Sequence, residues 1–276
     1  MTTISPEMIR QYADHLHARR RAASTVQKYT HYTSLFAAWL GERPFTRDAF
    51  ADWAGQLNVS PRTANGAISA VNGLAALLQR PEVRLEFNKV EAPYYRSERR
   101  ELKKQEYERL VSAARQAGKE RTCLTVMTIA ALGLRVSELK CITVKAVRMG
   151  EAQITNKGKT RRIVIPGKLR SKLESYCRKR GVQSGPIFIT RNGNPMTRGQ
   201  IWIEMKRLAK AAGVSLAKVF PHNLRHLFAT LHYRAHKDIF ALSRILGHSS
   251  VKTTQIYLAA SSSVFGRGME MLGLIT

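Results

Sequence analysis

The 276-residue sequence predicts a mainly helical protein of the α+β kind, with one small β-hairpin and two domains. Apolar residues recur three and four apart through most of the chain, the period of helices buried along one side. Two short runs, Gln153–Thr155 and Arg162–Ile165, read as the strands of a hairpin around a Lys157-Gly158-Lys159-Thr160 turn. The stretch Lys89–Arg100, KVEAPYYRSERR, has a proline, many polar residues and no apolar period. It reads as an interdomain linker over 91–100, which leaves domains at 1–90 and 101–276.

In the first domain, Ser5-Pro6-Glu7 is a helix start, with Ile9, Tyr12, Ala13 and Leu16 as its apolar stripe. Arg19, Arg20 and Arg21 close it, a cationic end that suits the helix dipole or a DNA phosphate. Ser24 is expected to cap a second helix lined by Val26, Tyr29, Tyr32, Phe36 and Trp39. Thr46 starts a third, with Phe50, Trp53 and Leu57; Ser60-Pro61 starts a fourth, with Ala64, Ile68, Val71, Leu74 and Leu78. Four amphipathic helices joined by short turns can bury one another, so this domain is all-helical.

The second domain opens with a helix over Lys103–Ala117, followed by a more apolar helix over Leu124–Leu139 with Arg135 in mid-run. A guanidinium buried there needs an anionic partner, and Ser137 and Glu138 stand close enough in sequence to orient it. After the hairpin come a basic helix at Lys168–Lys179, a short strand at Pro186–Thr190 and a turn at Asn192–Pro195. The helix over Thr197–Ala212 is expected to bury Ile201, Ile203, Met205, Leu208 and Ala209 and to expose Arg198, Lys206, Arg207 and Lys210.

Charge narrows the choice of partner. The chain carries 46 Lys and Arg against 19 Asp and Glu, a net +27. Residues 1–95 hold 11 against 8, or +3, so the other 35 against 11, or +24, fall in residues 96–276. So large a surplus points to a nucleic acid rather than to a merely solubilising surface. No apolar run approaches the ~20 residues that span a bilayer, and no signal peptide opens the chain. A membrane partner is therefore not expected, and the location is expected to be cytoplasmic and nucleoid-associated. Cys123, Cys141 and Cys177 are widely spaced, as reduced thiols would be.

The chemistry concentrates in Pro221–Leu258, which holds five of the eight histidines. His222 and Arg225 are three apart and share a helix face, while Leu224, Leu227, Phe228 and Leu231 would face a core. A second helical run, Ile239–Leu246, stops at Gly247 and leaves His248 in the turn; Ser249 or Ser250 can then cap a short helix carrying Thr253, Thr254 and Tyr257, the last nine residues after His248. Arginine supplies a planar fork for phosphate oxygens, histidine can shuttle a proton, and a deprotonated tyrosine is a nucleophile. Asp238 is the only acid in the stretch, too few carboxylates for a two-metal phosphoryl-transfer site. His222/His226 and His232/His236 have zinc-like spacing but lack an intervening Glu and a third ligand, so no metal is expected.

The order His222-x-x-Arg225, Leu246-Gly247-His248, Tyr257 resembles the C-terminal signature of the tyrosine recombinases, the phage integrase and Xer family. Ala131-Leu-Gly-Leu-Arg135-Val-Ser-Glu138-Leu resembles that family's first arginine box, and Thr155-Asn-Lys157-Gly-Lys159-Thr-Arg-Arg-Ile-Val-Ile-Pro resembles its hairpin. The resemblance implies a core-binding (SAM-like) N-terminal domain, a tyrosine-recombinase catalytic domain, and no metal or nucleotide cofactor. It implies Tyr257 as nucleophile, Arg135 and Arg225 on the nonbridging phosphate oxygens, and Lys157 as proton donor to the leaving oxygen. His222 would be the acid/base, and His248 would add a hydrogen bond to the phosphate. It further implies a homo-oligomer on DNA, a tetramer, whose tail from Ser261 docks on a neighbour, with an accessory protein not specified. With helices starting near residue 5, no arm-binding domain is expected at the N-terminus. DNA-phosphate contacts are expected from Arg19, Arg20, Arg21, Arg96, Arg99, Arg100, Lys159, Arg198, Lys206 and Arg207. The alternatives are a type IB topoisomerase-like relaxing enzyme and a non-catalytic DNA-binding relative.

Overall fold

The computed structural model describes residues 3–90, 100–156, 159–248 and 250–255. The chain divides into two compact units, Met1–Pro93 and Tyr94–Thr276. The described residues are mainly helical, with a single two-stranded antiparallel sheet. None of their helices is long and apolar enough to cross a membrane.

Unit 1 contains α1 (Pro6–Ala18), α2 (Ala23–Leu40), α3 (Arg47–Gly55) and α4 (Pro61–Leu77). Ser5, Thr46 and Ser60 accept hydrogen bonds from the amides of Met8, Ala49 and Thr63 at 3.2–3.3 Å, which satisfies one orphan donor at each helix start. The second helix departs from expectation. It begins at Ala23 without a side-chain cap, and Ser24 lies inside it because the extended residue that opens the helix is Ala22. Phe36 is fully buried, with the rings of Phe45, Phe50 and Trp53 at 5.2, 5.3 and 5.0 Å. Such aromatic pairs contribute ~0.5–1.5 kcal/mol each beyond their burial, so this cluster anchors the unit.

Unit 2 contains α5 (Lys104–Gln116), α6 (Glu120–Leu132), a 3-10 turn at Val136–Cys141, α7 (Val144–Met149), β1 (Glu151–Asn156) and β2 (Lys159–Val164). It continues with α8 (Gly167–Arg180), α9 (Arg198–Ala211), α10 (Pro221–His236), α11 (Ile239–Leu246) and α12 (Val251–Gln255). The mostly apolar α6 packs against α5, α8, α9 and α10. Its Val126 and Ile129 are fully buried in the main core.

Several local expectations change. The helix over Leu124–Leu139 ends at Leu132, because Gly133 turns left-handed at φ +60 and the Leu134 amide bonds back to the Ile129 carbonyl. Arg135 is therefore an extended residue heading the 3-10 turn, not a mid-helix residue. The strands run longer than expected and pair Ile154 with Arg161 and Asn156 with Lys159, so Lys159 and Thr160 belong to β2. Pro186–Thr190 forms no strand; Pro186 lacks an N–H for a ladder, and only isolated bridges Thr143–Pro186 and Ile189–Pro195 occur there. Ile203 and Leu231, expected inside, are exposed.

Candidate active site

Helix α10 carries an arginine into the core. Arg225 is 1% exposed, and burial of a guanidinium is tolerable only when its donors are met. Its Nη1 donates to the Gly133 carbonyl at 2.8 Å, and its Nη2 donates to the Leu246 carbonyl at 2.7 Å and lies 2.9 Å from His248 Nε2. A guanidinium can only donate, so Nε2 accepts, and the imidazole proton sits on Nδ1, 2.8 Å from Thr254 Oγ1. His248 is therefore neutral and braces Arg225. Burial, then the cations Arg225, Arg135 and Arg161 and the neighbouring His222, pull its pKa from 6.5 down to about 4. Both ring nitrogens thus have partners within the protein in this arrangement.

The second centre is Glu138, 2% exposed. Its Oε1 accepts from Arg135 Nη1 at 2.8 Å and Arg161 Nη1 at 3.0 Å; its Oε2 accepts from the Arg135 amide and Arg161 Nη2, both at 2.8 Å. Arg225 Nη1 stands 3.8 Å from Oε2. Burial alone would push this carboxyl up, but the hydrogen bonds from Arg161 and Arg135 outweigh it and hold it at about 2, below its ordinary 4.5. Three guanidiniums therefore surround one ionised carboxylate. The rest of their positive charge faces the last carbonyls of α11, where the helix dipole favours cations: Arg161 Nε bonds the Ile245 carbonyl at 3.0 Å, and Arg135 reaches the Leu246 and Gly247 carbonyls at 3.4 Å.

Two glycines permit this closeness. A Cβ on Gly133 would lie 2.5 Å from Phe228 Cδ1, and one on Gly247, at φ +64, would lie 2.7 Å from Arg161 Nη1. Both are helix terminators whose carbonyls also accept from the arginines.

Arg135, Arg225 and His248 are thus brought together, with His222 exposed one turn before Arg225 on α10. Lys157 and Tyr257 lie outside the described residues, as do Arg96 and Arg99. The arrangement, three arginines against one carboxylate, retains a net positive charge and suits a phosphate. Arg161 and Thr254 were not anticipated at the site. The signal for Arg161 was alternation: it shares its strand face with Ile163 and Ile165, both buried, whereas Val164 is exposed.

Of the cations expected to meet DNA, Arg19, Arg20, Arg21, Arg100, Arg198 and Arg207 are exposed. The Lys159 side chain is outside the described set. Lys206 differs from the free cation expected: its Nζ donates to the Leu216 carbonyl and lies 5.2 Å over the Trp202 ring, and burial lowers its pKa.

The His248 geometry gives a pH dependence with a definite sign. The folded pKa is depressed, so the associated stability is complete above the unfolded value of 6.5 and is lost as pH falls through about 4. Thermal denaturation followed from pH 7 to pH 4 should show Tm falling more steeply for the parent than for His248→Gln across this window. Parallel curves would contradict the assignment of a buried neutral imidazole.

The sequence pattern that describes the phage integrase family matches residues 100–263. Tyrosine recombinase XerD of Xanthomonas axonopodis pv. citri is 32% identical, covering 93% of this chain and 94% of its own length. Tyrosine recombinase XerA of Pyrococcus furiosus is 27% identical, covering 99% of this chain and 96% of its own. In fold, a lambda integrase tetramer bound to a Holliday junction matches with a TM-score of 0.73 at 18% identity, over 91% of this chain and 76% of that one. With the family pattern spanning more than half of the chain, and a relative this similar along nearly its whole length, the chain belongs to the phage integrase family and is a tyrosine recombinase, an enzyme of site-specific DNA recombination.

Proposed function

We propose that this recombinase cuts and rejoins double-stranded DNA through a 3′-phosphotyrosyl intermediate, with Tyr257 as nucleophile and a homotetramer as the working assembly. The observation that carries the reading is the convergence of Arg135, Arg225 and a neutral His248 on the end of α11, close before Tyr257 in sequence. Tyr257 Oη attacks the phosphorus, and its proton passes to His222. The bond to the 5′ oxygen breaks, and Lys157 supplies the proton that makes the leaving group a hydroxyl. Arg135 and Arg225 hold the nonbridging oxygens and stabilise the charge that grows on them. His248 acts by orienting Arg225. A partner strand's 5′ hydroxyl then attacks the phosphotyrosine, releasing Tyr257 and completing the exchange.

The exposed cations Arg19, Arg20, Arg21, Arg100, Arg198 and Arg207, with Arg96, Arg99 and Lys159, meet DNA phosphates and set its register without reading bases. Unit 1 acts as the core-binding domain, and the tail from Ser261 docks on a neighbouring protomer. The protein works in the cytoplasm, on the nucleoid.

A plasmid carrying two direct copies of a site selected from random DNA by binding tests the reading. Recombinase action predicts two circles with exchanged flanks. Relaxation of supercoils with the flanks unexchanged would instead assign topoisomerase activity, and neither product despite salt-sensitive binding would indicate a binding protein.

A further inference from the structure

Arg161 is the one guanidinium at the site to which the proposed chemistry gives no task. Its Nε, Nη1 and Nη2 donate to the Ile245 carbonyl and to the two oxygens of Glu138, and its side chain is 14% exposed. Two parallel bonds from one planar fork fix the plane of a carboxylate. That plane locates Oε1, to which Arg135 Nη1 donates at 2.8 Å. The other side-chain contacts of Arg135, to the Leu246 and Gly247 carbonyls, are both 3.4 Å and too long to hold the guanidinium by themselves. The orientation of Arg135 therefore depends on one carboxylate oxygen, and Arg161 sets where that oxygen lies. The same residue ties β2 to the last turn of α11 through its Nε.

We propose that Arg161 is a positioning residue for DNA cleavage: acting through Glu138, it holds Arg135 in the orientation that meets the phosphate. The inference rests on the reading of Arg135 as a phosphate ligand. A residue that only braced the fold would lower stability and the active fraction but leave the rate of each folded molecule unchanged. A positioning residue lowers that rate, and its effect disappears once Arg135 is already impaired.

Single-turnover cleavage of a nicked DNA site at saturating protein separates the two, with the rate reporting chemistry and the amplitude the folded fraction. Arg161→Ala is expected to lower the rate about 10²-fold, as misplacement of a catalytic group by about 1 Å would, with DNA affinity within about threefold of the parent. Arg161→Lys keeps the charge but cannot bridge both carboxylate oxygens and the Ile245 carbonyl, so it serves where Arg161→Ala folds poorly and should also be slow. In an Arg135→Lys background, either Arg161 change should slow cleavage by no more than about threefold. A full further loss in that background, or unaltered rates in both single variants, would overturn the proposal. An Arg135→Lys protein that cleaves at the parent rate would overturn the reading of Arg135 itself, and the inference with it.

Discussion

Glu138→Ala is expected to destabilise unit 2 by about 3–5 kcal/mol, the cost of removing one partner from a buried ion pair and leaving the other uncompensated. The residue is 2% exposed and accepts four hydrogen bonds at 2.8–3.0 Å from Arg135 and Arg161. Without it, Arg135 and Arg161 lose their carboxylate and three guanidinium charges stand within one small space. The salt bridge Arg10–Glu7 gives the contrast: its side chains are 72% and 58% exposed, and pairs of that kind contribute ~0–1 kcal/mol. In a unit of this size the Glu138 loss corresponds to a fall in Tm on the order of 10 °C. Glu138→Gln keeps an acceptor oxygen but loses the charge, so its Tm should lie between those of Glu138→Ala and the parent. Calorimetry on the three proteins at pH 7 checks this. A Glu138→Ala Tm within a degree or two of the parent would mean that the arginines are held by the α11 carbonyls alone.

The acid limb follows from the same carboxylate. Its pKa is depressed in the fold, so its contribution is present above the ordinary value near 4.5 and disappears as pH falls toward about 2. This window lies below that of His248, and the two losses should appear in sequence on acidification.

What the sequence showed of this arrangement depended on how local each signal was. Ser5, Thr46 and Ser60 were readable as caps because the amide each one meets is three residues away. Gly247 was readable as the end of α11 for the same reason. Gly133 carried an equally local signal, yet the apolar run continued past it through Leu134, and periodicity alone carried the helix on to Leu139. That placed Arg135 in a helix when it heads a 3-10 turn, although the identity of the residue at the site was unaffected. Arg161 shows the opposite limit. Its alternation with Ile163 and Ile165 said that it points inward, but the partner that makes inward burial tolerable, Glu138, lies 23 residues earlier and the Ile245 carbonyl 84 residues later. Pairing over such distances is set by packing, which no local pattern encodes. His248 was anticipated as a site residue from its place after Gly247. Its service to Arg225 became visible only when the two nitrogens were seen against Nη2 and Thr254.

The largest effect on activity is expected from Tyr257→Phe. The substitution removes one oxygen, the atom on which the covalent bond to DNA would form, and leaves a ring of nearly the same shape. Binding should therefore persist while strand cleavage ceases. General acid or electrostatic residues contribute factors of about 10²–10⁴ that leave residual turnover, whereas a missing nucleophile leaves no covalent pathway. The direct measurement is incubation of parent and Tyr257→Phe with a nicked suicide substrate, from which the cleaved fragment diffuses away, followed by denaturing electrophoresis. The parent should form a denaturant-resistant protein–DNA adduct, and Tyr257→Phe should form none while binding the same DNA with equal affinity and equal salt sensitivity. An adduct of equal yield from Tyr257→Phe, or tight binding by the parent with no adduct at all, would contradict the assignment of Tyr257 as the nucleophile.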